Sequence, residues 1–211
     1  MRLVLASNNP GKLAELQRLF ADLGVELLAQ GALGVDEAEE PHATFVENAL
    51  AKARHAARAA IGAAIADDSG LVVDALGGAP GVASAHFAPL AGAEAIADRE
   101  ARRRAQDAAN NALLLERLAG RVDRQARFVS TLVAVRHAGD PEPLVATGRW
   151  AAEIALAPRG SGGFGYDPLV FVPALGKTVA ELDAATKNAH SHRALAARQM
   201  LALMRDAWRP G

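Results

Sequence analysis

Two adjacent aspartates, Asp67 and Asp68, stand before Ser69-Gly70 at the end of the apolar stretch Ala63 to Ala66. Side chains alternate across a strand, so only one of the pair can face a cleft, and the other must be paired or solvated. Adjacent carboxylates at a strand end are costly without a cation, which makes a hard, oxygen-loving ion such as Mg2+ the natural partner. A polar turn capped by aspartate is the simpler alternative. Upstream, the acidic loop Asp36-Glu37-Ala38-Glu39-Glu40 is either a second source of carboxylates folded over the pair or plain solvated surface. A third segment, Ser7-Asn8-Asn9-Pro10-Gly11-Lys12, leaves an apolar run and enters a helical pattern. The unpaired N–H groups of a helix start favour an anion, and phosphate is the obvious guest. An ordinary turn with a capping Asn accounts for the same residues.

Further along, Gly160 to Gly165 matches G-x-G-x-x-G, but Tyr166-Asp167-Pro168 cannot open the helix that a dinucleotide fingerprint requires. Gly176-Lys177-Thr178 lacks the first glycine of a phosphate-binding P-loop, because Phe171 occupies that position. What remains is a flexible loop presenting Phe164 beside Tyr166 and Asp167, suited to stacking a base and holding it by hydrogen bonds. Lys187, His190, Ser191, His192 and Arg193 precede or open the last helix, with Ser191 as its cap. An arginine at a helix start opposes the dipole and hints at a use, although a solvated side chain is the plain alternative. Zinc through His190 and His192 is disfavoured, because the chain has no cysteine and no third ligand at suitable spacing nearby.

The elements that must carry these residues follow from periodicity and turn chemistry. Leu3 to Ala6 reads as a strand, and Leu13, Leu16, Leu19, Phe20 and Leu23 recur at helical spacing. Val25 to Ala29 reads as a second strand, and Thr44 with Glu47 as a capping box opening a helix to about Ala60, two turns inside which lies Lys52. Ala63 to Ala66 and Leu71 to Val73 read as two strands separated by a corner at Asp67 to Gly70. The turn Gly77-Gly78-Ala79-Pro80-Gly81 follows. Glu94 to Leu118 predicts a long, charged helix presenting a solvated face. Phe128 to Val135 and Leu144 to Trp150 predict a hairpin around Gly139-Asp140-Pro141, Leu169 to Val172 a further strand, and Ser191 to about Trp208 a final helix. Strands outnumber simple βαβ alternation, so the expected fold class is α/β, a mixed sheet flanked by helices on its faces.

Composition bounds the partners. The 211 residues suit one domain, and with 23 basic against 24 acidic residues the net charge of −1 argues against wrapping polymeric nucleic acid or binding an anionic membrane. The absence of cysteine excludes disulfides, thiolate nucleophiles and cysteine-ligated metals. No apolar run approaches the length of a membrane span and no secretory signal is visible, so a cytoplasmic protein is expected. Alanine supplies 50 residues, and arginine outnumbers lysine by 19 to four. Three of the four lysines, Lys12, Lys52 and Lys187, fall in the segments singled out above. A retained lysine marks a place for a compact ammonium rather than a planar fork.

Six blocks in order carry a resemblance: Ser7-x-Asn9-x-x-Lys12, Phe45-Val46-Glu47-Asn48-Ala49, Ala66 to Leu71, Gly77 to Gly81, Gly163 to Pro168, and Ser191-His192-Arg193. Together they span nearly the whole chain, which resembles the inosine triphosphate pyrophosphatase family, also called XTP/dITP diphosphatases. The Ala88 to Asn110 region departs from the family pattern in length and in its alanine and arginine content. The resemblance implies one domain over residues 1–211, with an elongated sheet divided into two lobes and a cleft between them. It further implies Mg2+ dependence, a homodimer, and hydrolysis of ITP, dITP and XTP to the monophosphate and pyrophosphate. Matched position by position, Ser7 to Lys12 resembles the triphosphate cradle, with Lys52 a further phosphate contact and Ser69 bordering the substrate. Asp68 resembles the general base and metal ligand, with Glu39 as second carboxylate and Glu40 as its alternative. Phe164, Gly165, Tyr166 and Asp167 resemble the base pocket, and Lys187, His192 and Arg193 the purine-reading group. A Maf-like pyrophosphatase acting on other modified nucleotides and a nucleotide-sensing module without turnover are the competing readings.

Overall fold

A computed structural model describes residues 2–21, 24–92 and 96–208. Seven strands, β1 (Arg2–Leu5), β2 (Glu26–Ala29), β3 (Ala64–Val73), β4 (Gln125–Val135), β5 (Leu144–Ile154), β6 (Val170–Val172) and β7 (Lys177–Thr178), form one sheet in the order β2-β1-β3-β4-β5-β6-β7. Strand β1 runs parallel to β2 and β3, whereas β5, β6 and β7 pair antiparallel, so the sheet is mixed as the strand count predicts. Among the described residues five helices accompany it: α1 (Pro10–Ala21), α2 (Phe45–Ala60), α3 (Arg99–Arg117), α4 (Ala184–His190) and α5 (His192–Ala207). Among the described residues no helix is long and apolar enough to cross a membrane.

The chain divides into two compact units. The first comprises residues 1–69, 129–149 and 188–211, the second residues 70–128 and 150–187. In the first, Ile65 of β3 joins Leu3, Leu5 and Leu132 against Leu16 and Phe20 of α1 and Met200 and Met204 of α5. On the opposite strand parity, Ala64 and Ala66 join Val133 and Val135 against Ala49, Ala53, Ala56 and Ala57 of α2. Alternation of side chains therefore sorts α1 with α5, and α2 by itself, onto different faces of the same strands. Helix α5 sits directly on β5, because a Cβ at Gly148 would collide with the His192 carbonyl oxygen. In the second unit Leu71, Val73, Phe128, Trp150, Ile154 and Leu169 pack with Leu114 of α3 and Leu118, the residue that follows it.

Three expectations are corrected. The Asp67 to Gly70 segment is no corner: β3 runs unbroken for ten residues, since the two carboxylates find cationic and hydroxyl partners within the fold and need no turn to reach solvent. The long helix begins at Arg99, capped by the Asp98 side chain on the Ala101 N–H, and its predicted start at Glu94 lies outside the described residues, as does Leu23. Its face is not simply solvated, because Asn110 is buried and bonds the Ala88 N–H and the Ser84 and Ala85 carbonyls. Two short elements went unpredicted: α4, which contains Lys187 and His190, and the two-residue β7. The other caps stand as read, with Thr44 accepting from the Glu47 N–H and Ser191 from the Ala194 N–H.

Candidate active site

Strand parity assigns the two aspartates to different neighbours. Register pairs Leu5 of β1 with Ile65, so Asp67 and Asp68 lie past the last paired residue of β1, alongside the loop that leads into α1. Asp67 follows Ile65 onto the α1 and α5 face. Its carboxylate accepts from Ser130 Oγ at 2.6 Å and Ser69 Oγ at 3.0 Å, and pairs with Lys12 Nζ at 3.2 Å and Arg193 Nε at 3.4 Å. Asp68 follows Ala66 onto the α2 face, where Lys52 Nζ stands at 2.9 Å and Asn48 Nδ2 donates at 3.4 Å.

These surroundings drive the two carboxyls apart. Burial acts to raise Asp67, but Lys12, Arg193 and the Ser130 hydroxyl overcome it and hold the group far below the usual carboxylate range. Asp68 is also buried, and with Lys52 as its principal counter-charge the burial wins, so its carboxyl is pushed up. Burial opposes the charge on Lys52 too, yet Asp68 and Glu40 together hold its ammonium above the ordinary lysine value. Lys12 goes the other way, lowered by burial against the pull of Asp67. One carboxylate is thus held as an anion by the cations around it, whereas burial favours the protonated form of its neighbour.

The Ser7 to Lys12 loop takes the capping arrangement. Asn9 Oδ1 accepts the N–H of Gly11 at 3.0 Å and of Lys12 at 3.1 Å, while Ser7 Oγ accepts the Asn9 N–H. Pro10 opens α1, where its missing N–H costs nothing. Asn8 lies beside Gly31, whose added Cβ would touch Asn8 Oδ1. The cationic donor that this segment delivers is therefore the Lys12 ammonium, held beside Asp67. Of the acidic loop, Glu39 is exposed, and Glu40 bonds Lys52 Nζ at 2.8 Å. Asn48 ties the end of that loop to α2, accepting the His42 N–H and donating to its carbonyl.

Ser191, His192 and Arg193 are buried beside α1. Arg193 spreads its guanidinium over Glu15 Oε2 at 2.9 Å, Ser69 Oγ at 2.9 Å and Asp67, and Ser191 Oγ donates to Glu15. The cation that opposes the α5 dipole is thus answered by two buried carboxylates. Glu15 and Ser130 escaped sequence reading. A lone glutamate next to Leu16 on the apolar side of α1 was the available sign for the first; nothing local marks the second.

In the second unit the glycine loop is tied rather than flexible. Asp167 Oδ2 accepts the Phe164 N–H at 3.0 Å and pairs with Lys187 Nζ at 2.8 Å. Gly163 has a positive φ, and a Cβ there would strike Asp167 Oδ2. Lys187 Nζ also stands 4.8 Å from the centre of the Phe164 ring. Tyr166 points into the core, its hydroxyl donating to the Ser84 carbonyl, and burial pushes that phenol above its ordinary value. Gly165 contributes backbone groups alone, which α3 holds. The structure thus gathers Lys12, Lys52, Asp68, Ser69, Glu40, His192 and Arg193 in one unit, and Phe164 to Asp167 with Lys187 in the other.

Among the described residues no three His, Asp or Glu side chains converge as a ready metal cage. The donor chemistry nevertheless suits Mg2+. Asp68 and Glu40 both reach the same Lys52 ammonium and so face a common point, and Mg2+ takes one or two carboxylates, filling its remaining positions with water and phosphate oxygens.

Comparison with known proteins supports one affiliation. The Ham1 family profile matches residues 3–203. The dITP/XTP pyrophosphatases of Methylibium petroleiphilum and Leptothrix cholodnii are 70% and 68% identical to this chain, with 99% of either partner covered in both cases. A HAM1 protein from Coxiella burnetii has a similar solved structure, with 42% identity, a TM-score of 0.83, and 98% of this chain and 100% of that one covered. The Ham1 protein of Staphylococcus aureus follows at 36% identity and a TM-score of 0.81, covering 98% and 99%. Resemblance carried by six ordered blocks, a profile along almost the full length and a shared fold lead to one conclusion: the chain belongs to the Ham1 family.

Proposed function

We propose that this chain hydrolyses non-standard purine nucleoside triphosphates, ITP, dITP and XTP, to the nucleoside monophosphate and pyrophosphate. The observation that carries the reading is the opposed environment of Asp67 and Asp68, which leaves one fixed anion and one proton acceptor beside two lysines. The relatives bearing the name dITP/XTP pyrophosphatase support the substrate class.

In this mechanism Asp68 orients a water and removes its proton as the oxygen attacks the α-phosphorus, and pyrophosphate departs. A carboxyl raised by burial is a better base near neutrality than an exposed one. Lys12 and Lys52 meet the charge that grows on the departing oxygens, so stabilisation is mainly electrostatic and positional. Asp68 and Glu40 are the residues that would hold Mg2+, which when bound would polarise phosphate oxygens and offset their charge. Phe164 stacks the base, and Lys187, held by Asp167, donates to the oxygen that inosine and xanthine carry at C6. Adenine places an amino donor there, which would leave two donors facing each other unpaired. Guanine shares the C6 oxygen, so its exclusion falls at C2. Arg193, which bonds Ser69 and the Asp67 carboxylate that holds Lys12, completes the binding residues together with its neighbour His192. The working form is a cytoplasmic homodimer.

A nucleotide sensor would bind without turnover, and a Maf-like enzyme would prefer other modified nucleotides. Both are tested by incubating the protein with ITP, ATP and GTP, with and without Mg2+, and following pyrophosphate. The expected outcome is Mg2+-dependent release from ITP far above that from ATP or GTP. Binding of ITP without release would establish the sensor.

A further inference from the structure

The arginine-rich helix α3 presents a second face beside the one that Asn110 anchors. Arg103, Asp107 and Asn111 recur at every fourth residue, which places them on one stripe of the helix. Asp107 Oδ2 accepts the Gly165 N–H at 3.0 Å, and Asn111 Nδ2 donates to the Gly165 carbonyl at 3.0 Å. Both backbone groups of one loop residue are therefore held by side chains one helical turn apart. The Arg103 guanidinium lies 5.9 Å from the centre of the Phe164 ring and pairs with Glu100 at 3.3 Å. Two atoms of this stripe, Arg103 Nη1 and Asn111 Oδ1, are buried without a hydrogen bond, which a solvated surface would not show.

From this geometry we infer that Asp107 and Asn111 are positioning residues for base recognition, clamping the Gly165 backbone so that the Phe164 ring is set in place for the purine. The inference rests on the stacking role proposed for Phe164. Three tethers converge on two consecutive residues: the Phe164 N–H on Asp167, and the Gly165 N–H and carbonyl on α3. Helix α3 is itself fixed, since Asn110 and Gln106 bond the Ala88 backbone. A rigid helix that grips both polar groups of one residue leaves the adjacent aromatic ring little freedom, and a ring already in place binds with less ordering cost. Burial raises the Asp107 carboxyl, in keeping with a side chain enclosed by the loop rather than solvated.

The test is a double-mutant cycle on ITP hydrolysis, read as KM and kcat separately. Asp107→Ala and Asn111→Ala should each raise KM about fivefold, the scale of one aromatic contact, with kcat nearly unchanged. Asp107→Asn keeps an acceptor for the Gly165 N–H and should restore the original KM. Combined with Phe164→Ala, Asp107→Ala should add nothing further. Additive effects, or a KM untouched by both helix variants, overturn the clamp. If Phe164→Ala alone leaves KM unchanged, the stacking role fails instead, and hydrogen exchange at the Gly165 amide decides the clamp. Faster exchange in Asp107→Ala upholds it, and unchanged exchange ends it. Should Asp107→Ala fail to fold, Asn111→Ala carries the same cycle.

Discussion

At the scale of single residues, neighbouring aspartates should respond in opposite ways to the same substitution. Asp68→Asn should lose about two to four orders of magnitude in turnover, the usual contribution of a positioned base, while its melting temperature changes little because Lys52 keeps Glu40. Asp67→Asn should do the reverse in emphasis. It removes the counter-charge of buried Lys12 and Arg193, so a loss of about 3–5 kcal/mol in stability is expected by chemical denaturation. Equal melting curves for the two variants would contradict the division of roles. Lys187→Met keeps the reach and loses the donor, and should narrow the ITP-over-ATP ratio of kcat/KM with little effect on the Mg2+ requirement; an unchanged ratio would move base reading elsewhere. That the two aspartates point to opposite faces was legible in the sequence, because alternation is local. The partners that each one finds, as distant as Ser130 and Arg193 for Asp67, were not, since no local pattern carries that information.

Elements were legible where their signals are local. The N-cap at Thr44, the cap at Ser191 and the first strand, loop and helix all follow from nearest neighbours in the chain. β3 defied the reading because polar residues normally interrupt a buried strand, and here long-range ion pairs remove that cost. The clamp stripe of α3 was hidden by its composition, since arginine and aspartate at helical spacing resemble a solvated face until the loop they hold is known. Between β4 and β5 a different carboxylate does structural work. Buried Asp140 accepts from the Arg136 side chain at 2.9 and 3.0 Å and from the Arg136 and Glu142 N–H groups. The Arg136 guanidinium chiefly, with the two backbone donors, holds its carboxyl well below the usual range against the effect of burial. A carboxyl depressed on folding stabilises the protein above its unfolded value of about 4 and ceases to do so as pH falls through the folded value. Asp140→Asn should therefore lower the melting temperature at neutral pH, and the gap from the unchanged protein should close as the solution is acidified below about pH 4. A gap that stays constant down to strongly acid pH would mean that the turn is held by something else.

Over the whole molecule, three clusters of small and branched apolar residues fill the interior, and alanine lines the contact of α2 with β3 and β4. Fold class was legible at this scale from the count and spacing of strands, whereas the places at which the two units divide, inside β3, β4, β5 and α4, were not, because each boundary interrupts a continuous element. Lysine usage has a practical corollary. Lys12, Lys52 and Lys187 are largely enclosed and engaged with carboxylates, and Lys177, on the terminal strand β7, is the exposed one. A substoichiometric acylating dye should therefore mark Lys177 ahead of the other three, as peptide mapping would reveal, and the tagged enzyme should turn over ITP undiminished. Scarcity of lysine leaves this catalyst one outward-facing ε-amine for surface attachment, remote in chemistry from the groups that do its work.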